Sequence, residues 1–230
     1  HADACRVRAL LARLADPSVA GVWRNVALTS VAQGYTLVTG LVVLTVTVRW
    51  LGPEGRGTIA AATTWVTMFS TLGFLSLGQV AIHRATRLRE GEWLGETVGS
   101  LLLIAVVVTI TSWVLVATWY FGTNGSAFSG LPGRYLAIAF VALPWFVWEQ
   151  YGSALLLALD KVSIYNRAQM IGRSLVVLLV IASWRFGWGI AGVLVATGVS
   201  QAVVSVAGAR FLHDRAGVQV VRYRHHADQR

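Results

Sequence analysis

Long apolar runs separated by short polar segments are the main pattern in this chain. Residues 25–48 and 57–82 contain no formally charged side chain. Each run is longer than the roughly 20 residues that a helix needs to cross a bilayer. Similar runs continue through the rest of the sequence, which predicts an all-α bundle of six membrane spans. The predicted spans are residues 25–49, 57–82, 97–121, 134–158, 164–185 and 188–211.

Composition agrees with a polytopic membrane protein. Hydrophobic residues make up 56% of the chain and charged residues only 13%, against roughly 25% charged residues in soluble domains. The net charge of +9 does not indicate a nucleic-acid partner, because the basic residues cluster at the predicted span ends and do not form one basic face.

The basic residues also predict an orientation. Fifteen of the 19 lysines and arginines fall on the side that holds both termini, and by the positive-inside bias this side is cytoplasmic. We expect a basic amphipathic interfacial segment over residues 1–22 and a six-span lobe over 23–213. Residues 214–230 are predicted to form a basic cytoplasmic tail with a composition typical of disordered extensions. The longest loop, 121–133, is uncharged and glycine-rich, and we expect it to be exposed.

Glu149 is the one acidic residue well inside a predicted span. A charge at that depth costs roughly 2.5–3.5 kcal/mol on insertion scales, so it is expected to face a protein interior or a watery cavity. Arg173 lies at similar depth on the next, antiparallel span. The depths predict either a structural ion pair between the two or a cavity site for an anionic headgroup or a proton. Gln150, Asn166 and Gln169 are expected to line the same face or to bond across helices.

Arg24 and Arg84 lie at the cytoplasmic ends of spans one and two. Their guanidinium groups either snorkel to the interface or turn inward, where they would offer the bidentate fork that phosphate prefers. Together with Glu149 and Arg173 they are the candidate substrate-binding residues.

No catalytic apparatus is visible in the sequence. The aspartates are isolated, and the DxD, HExxH, GxSxG and P-loop patterns are absent. We therefore expect neither catalytic residues, nor a bound metal, nor a cofactor, and we predict that the chain is not an enzyme.

Three stretches resemble a known family. "RWLGPEGRGTIAAATTW" and "STLGFLSLGQVAIHRATR" resemble the first two spans of the oligosaccharide and polysaccharide flippases of the MOP superfamily, which are related to MATE transporters. "LLLALDKVSIYNRAQ" resembles that family's connection between spans four and five. The resemblance implies flipping of a polyprenyl-diphosphate-linked oligosaccharide across the bacterial cytoplasmic membrane, for polysaccharide biosynthesis.

The resemblance also implies a tight extracytoplasmic turn between spans one and two. Gly52, Pro53, Gly55 and Gly57 would form it through the φ freedom of glycine and the fixed φ of proline. Arg56 would cap or anchor the turn, or alternatively contact a headgroup or the substrate. Family members carry two six-helix lobes about a central cavity, so the expected partners are membrane lipids, the lipid-linked oligosaccharide and a second lobe or a second copy. The alternatives are a MATE-like small-molecule exporter and a membrane oligosaccharide polymerase or ligase.

Overall fold

The computed structural model of the protein describes residues 17–74, 92–128, 131–159 and 161–227, and every regular element in these ranges is helical. The predicted all-α class is therefore confirmed. The predictions for residues 1–16 and for the loop around Arg84 lie outside the described residues. The elements are α1 (Pro17–Phe74), α2 (Glu92–Gly122), a 3₁₀ turn (Ser126–Phe128), α3 (Gly133–Val141), α4 (Leu143–Ala158), α5 (Val162–Phe186) and α6 (Gly189–Ala227).

Within the described residues, four helical segments are long and apolar enough to cross a membrane. Their mean hydropathies lie between 1.3 and 2.5, and only 11–39% of the residues in their most apolar windows are buried inside the protein. Helices that are apolar on their outward faces as well as their inward faces are typical of membrane spans. The chain is thus a multi-pass membrane protein. The segments are Ala27–Phe74, Val98–Gly122, Ser163–Phe186 and Gly189–Leu212.

The first of these segments contains a sharp kink at Gly52. This residue has φ 71° and ψ 178°, a conformation that is essentially restricted to glycine. Pro53 follows at the first position of the next helical stretch, where its missing N–H costs nothing. The kink divides α1 into a first arm (residues 17–51) and a second arm (residues 53–74).

The predicted turn is wrong in its extent. Gly52 is the one residue of the predicted set with a positive φ, whereas Gly55, Arg56 and Gly57 are already helical. Gly55 is needed for a different reason. A Cβ atom built on it would lie 2.7 Å from the Cβ of Leu51, so the kinked backbone leaves no room for a side chain.

Contacts with the last two helices set the direction of the two arms. In the first arm, Thr29 bonds to Asn166 and Tyr35 to Ser174, so this arm runs parallel to α5. In the second arm, Gly55 lies beside Ile190, and Val66 shares a small cavity with Thr197, so this arm runs parallel to α6. Because α5 and α6 are themselves antiparallel about the turn at Gly187, the chain reverses direction at Gly52.

The α5–α6 pair is closely packed. Gly187 ends α5 in the left-handed conformation, with φ 71° and ψ 24°. The Trp188 N–H then donates to the Ser183 carbonyl at 3.0 Å, the bond that closes a Schellman-type cap. Further along, the Ser200 hydroxyl donates to the Gly172 carbonyl at 2.6 Å.

Residues 134–158, predicted as one span, form two helices. The α-helical pattern is interrupted at Ala142, whose backbone remains right-handed at φ −80° and ψ −11°. Pro144 explains the interruption, because it has no N–H to donate to the Phe140 carbonyl four residues earlier. That carbonyl accepts a backbone N–H at the cap of α3, and the indole N–H of Trp113 in α2 also donates to it at 2.9 Å.

The loop expected to be exposed is packed against the bundle at its centre. Phe128 is fully buried, with its ring centroid 4.9 Å from that of Trp65 and 5.6 Å from that of Trp119. Asn124 and Gly125 turn the chain with positive φ values of 50° and 76°. The loop prediction is therefore wrong at Phe128, whose aromatic ring closes the core at this end.

The structure also differs from the prediction for the C-terminal tail. Helix α6 runs 39 residues to Ala227, so residues 214–227 continue the last helix and do not form the irregular extension that their composition indicated. At 1.5 Å per residue the helix is about 58 Å long, roughly twice the hydrocarbon thickness of a bilayer.

Candidate functional site

Glu149 of α4 lies at the junction of three helices. Its Oε1 atom accepts hydrogen bonds from the Tyr165 hydroxyl at 3.3 Å and from the amide of Gln169, both on α5. Its Oε2 atom accepts from the amide of Gln201 on α6. Both carboxylate oxygens are thus paired, as a buried anion requires.

Sequence spacing explains how α5 contributes two of these donors. Tyr165 and Gln169 are four residues apart and therefore lie on the same helix face. The Gln169 amide also donates to the Tyr165 hydroxyl at 2.9 Å. One amide group thus serves two acceptors with its two hydrogens, and it fixes both side chains against Glu149.

A small cavity of about 20 Å³ adjoins the cluster, which is about the volume that one water molecule requires. Glu149 and Tyr165 line it together with the serines of α4 and α6. Both hydroxyls are directed to helix carbonyls, Ser153 to Gln150 at 2.9 Å and Ser205 to Trp145 at 2.8 Å. The polar centre is therefore compact and has no room for a substrate headgroup in this conformation.

Arg173 is exposed, one turn beyond Gln169 on the same face of α5. It is close enough to Glu149 for an attractive Coulomb interaction. Among the described side chains, however, the hydrogen bonds of Glu149 go to Tyr165, Gln169 and Gln201 and not to Arg173. The predicted direct ion pair is thus replaced by an amide-bonded carboxylate with a guanidinium nearby.

The other predicted residues are separated from this cluster. Only the backbone of Arg24 is described, within α1, and Arg84 lies outside the described residues. Asn166 bonds across helices to Thr29 of the first arm at 3.4 Å, which confirms one of its two expected roles. Gln169 likewise bonds across helices. The substrate-binding roles of Arg24, Arg84, Glu149 and Arg173 remain predictions.

Gln201 is the partner that sequence reasoning missed. It is 52 residues from Glu149 in the chain, and a neutral amide in an apolar span carries no sign of which residue it contacts. The available signal was the amide itself, since an amide inside a membrane span usually bonds across helices. Among the residues that the structure describes, no three His, Cys, Asp or Glu side chains are grouped as metal ligands.

Comparison with known proteins identifies the family. The model of the polysaccharide biosynthesis protein family matches residues 22–222. The chain belongs to this family. The match includes the kink at Gly52 and the whole Glu149 cluster, and it is consistent with the resemblance to MOP-type polysaccharide flippases. No curated protein and no solved structure matches the chain.

Membership gives the setting in which the cluster acts. A polysaccharide biosynthesis protein built from membrane-capable helices works in membrane-associated synthesis or transport of polysaccharide. In such a setting the hydrogen bonds of Glu149 have added weight, because the hydrocarbon interior offers no water to a polar group. The cluster fastens α4, α5 and α6 together at membrane depth.

Proposed function

We propose that the chain is one lobe of a transporter that flips a polyprenyl-diphosphate-linked oligosaccharide across the bacterial cytoplasmic membrane. Membership of the polysaccharide biosynthesis protein family supports a role with a lipid-linked saccharide. The observation that carries the proposal is the exposed guanidinium of Arg173 near the middle of a membrane-capable helix. The chain acts by transport and not by catalysis.

The depth of Arg173 argues for an aqueous path. It lies ten residues from the start of the segment Ser163–Phe186, or about 15 Å at 1.5 Å per residue. An arginine exposed to lipid at this depth would cost roughly 2.5–3.5 kcal/mol or more. Its side chain therefore faces water or a protein partner, and a guanidinium in such a place binds diphosphate through charge-assisted, bidentate hydrogen bonds.

Arg24 is the second arginine that we assign to this path. The bond between Tyr35 and Ser174 sets the first arm in register with α5. Arg24 lies eleven residues before Tyr35 and Arg173 one residue before Ser174, so the Arg24 backbone is about 15 Å nearer the cytoplasmic end than that of Arg173. A headgroup that enters from the cytoplasmic leaflet reaches the depth of Arg24 first and that of Arg173 at the midplane.

Six crossings with both termini in the cytoplasm fit this arrangement. The two arms of α1 run in opposite directions, and α3 with α4 forms one span interrupted at Ala142. With α2, α5 and α6 these make six passes, and the positive-inside bias orients them. The contacts of the arms with α5 and α6 support alternating directions for these four segments.

A second lobe or a second copy completes the path. Gln33 is exposed on the first arm, about 200° around the helix from Tyr35 and thus away from α5. A glutamine facing lipid near mid-membrane would leave its amide without a partner. The exposed surface around Gln33 is therefore the face that meets the other lobe.

The Glu149 cluster favours this function over a MATE-like cation exporter. Both oxygens of the carboxylate accept hydrogen bonds from protein donors. A cation would have to displace these donors to gain a ligand. An anionic lipid headgroup needs only Arg173, which is exposed.

The experiment uses cells that depend on this gene, with any second lobe included. Arg173→Ala should make lipid-linked oligosaccharide accumulate on the inner leaflet, and Arg173→Lys should give an intermediate level, because lysine keeps the charge but loses the fork. Arg185→Ala is the matched control, since Arg185 is also exposed but lies in the last turn of α5. Normal export by a correctly inserted Arg173→Ala protein would contradict the proposal.

A further inference from the structure

The interruption at Ala142 is surrounded by open space. Three apolar grooves of about 410, 400 and 310 Å³ adjoin it. The first lies between α2 and α3, the second between α2, α4 and α6, and the third between α3 and α6. Val141, at the interruption, is 68% exposed. The outward face of α3 at Val141 therefore adjoins open space, while Leu136, Ala139 and Phe140 of the same helix are buried.

The backbone at the interruption is held by short-range bonds. The Ala142 N–H donates to the Ala139 carbonyl at 3.1 Å, and the Trp145 N–H donates to the Ala142 carbonyl at 3.1 Å. Both are 3₁₀-type bonds between residues three apart, and the Ala142 carbonyl also accepts an α-type bond from the Phe146 N–H at 3.3 Å. A 3₁₀-type stretch within a helix often marks a hinge. A proline is a common cause of such a kink, and Pro144 is two residues away.

Side chains from neighbouring helices bond to the carbonyls on either side of the hinge. Trp113 of α2 donates to the Phe140 carbonyl on the α3 side. Ser205 of α6 donates to the Trp145 carbonyl on the α4 side. The two contacts differ, because the Phe140 carbonyl lacks the α-helical donor that Pro144 cannot supply and is held by a cap N–H and by the Trp113 indole.

Helix α4 is by contrast fixed in the bundle. Val147, Tyr151 and Leu155 are fully buried, and the Tyr151 hydroxyl donates to the Gly73 carbonyl of the second arm at 2.9 Å. The Glu149 cluster adds the bonds to α5 and α6. Helix α4 is therefore the more firmly held side of the hinge.

We propose that α3 pivots at Ala142–Pro144 during transport, and that the Trp113 indole is the latch that holds it in the conformation described. Release of the latch removes the α2 donor from the Phe140 carbonyl and lets α3 move into the adjoining grooves, which opens the bundle between α2, α3 and α6. This inference rests on the proposed transport function, but the pivot itself has a test that needs no transport.

That test is hydrogen exchange of the backbone amides of α3 in purified protein. Trp113→Phe keeps the ring but removes the donor, and we expect exchange in α3 to become about tenfold faster, the effect of losing one hydrogen bond of about 1.4 kcal/mol. Pro144→Ala restores an N–H to the Phe140 carbonyl and should slow exchange. In the Pro144→Ala background, Trp113→Phe should have little further effect, because the backbone then makes the bond.

Trp184→Phe is the control, since Trp184 is an exposed indole near the end of α5. Unchanged exchange in Trp113→Phe would overturn the latch, whatever the result for Pro144→Ala. In the flipping assay, Pro144→Ala should lower the rate at least tenfold while the protein stays folded, and an unchanged rate would overturn the pivot. If the wild-type protein itself does not flip lipid-linked oligosaccharide, the proposed function fails. The hydrogen-exchange measurement is then the test of whether α3 pivots.

Discussion

Gln201 of α6 and Glu149 of α4 are 52 positions apart in the chain and are joined by a hydrogen bond from the amide to the carboxylate. Helix α5 completes the same site through Tyr165 and Gln169. The carboxylate thus determines how three helices are rotated against one another, since a rotation of any of them would leave a polar group unpaired in an apolar setting.

Removing Gln201 should cost more when Glu149 is present than when it is absent. We expect Gln201→Leu to lower the free energy of unfolding by about 1–3 kcal/mol, because it leaves Oε2 of Glu149 without its donor. In a Glu149→Leu background the same change should be nearly neutral. Thermal unfolding of the four proteins in detergent measures the coupling. Equal costs in both backgrounds would show that the two side chains do not depend on each other.

Gly172 should not tolerate a methyl group. A Cβ atom there would lie 2.3 Å from Cγ2 of Val204 on α6, so Gly172→Ala should destabilise the protein by about 1–3 kcal/mol through overpacking. The double variant Gly172→Ala/Val204→Ala should recover part of this loss. Gly34→Ala is the control, because its Cβ would meet nothing within 4 Å. We expect that change to stabilise the helix by about 0.5–1 kcal/mol.

Two phenylalanines near the α2–α3 connection should respond differently to truncation. Phe128 is fully buried and Phe121 is 77% exposed. Phe128→Ala should cost about 3–5 kcal/mol, the range for loss of a buried aromatic ring, while Phe121→Ala should have little effect on unfolding. Urea or thermal unfolding in detergent compares the two. Similar losses for both would mean that the connection is not packed as described.

The orientation is testable with reporter fusions. A reporter that is active only outside the cytoplasm should be active within residues 123–125 and silent after Arg215. The physical reason is the excess of basic residues on the side of the termini. Activity in the opposite pattern would invert the orientation and move every arginine to the other side of the membrane.

The helices themselves could be predicted largely from the sequence. The span expected at residues 164–185 is α5, Val162–Phe186, because a long apolar run bounded by polar residues determines the length of a helix. Pro144 gave a visible signal of a break, but Trp113, which stabilises it, comes from another helix. The turn between the arms was overestimated because glycines that allow close packing look the same in sequence as glycines that allow a turn.

The candidate site could be predicted only in part. The cost of burying a charge identified Glu149, and counting residues along antiparallel spans gave the depth of Arg173. The membrane depth of a residue does not specify how its helix is rotated about its own axis, however. Small rotations of α5 decide which of Gln169 and Arg173 reaches the carboxylate of Glu149. Gln201 could not be assigned for the same reason, since its contact depends on how α6 packs against α4.

Gly52 is the one residue in α1 that departs from helical geometry, so the two arms are connected without slack. Each residue inserted into or deleted from a helix rotates the remainder of that helix by about 100°. An insertion after Pro53 would therefore turn the buried face of the second arm, including Val66, toward the bilayer. Evolution can lengthen or shorten the connection around residues 123–125 gradually, but between the arms it has to keep the count of residues constant or rebuild the packing of both.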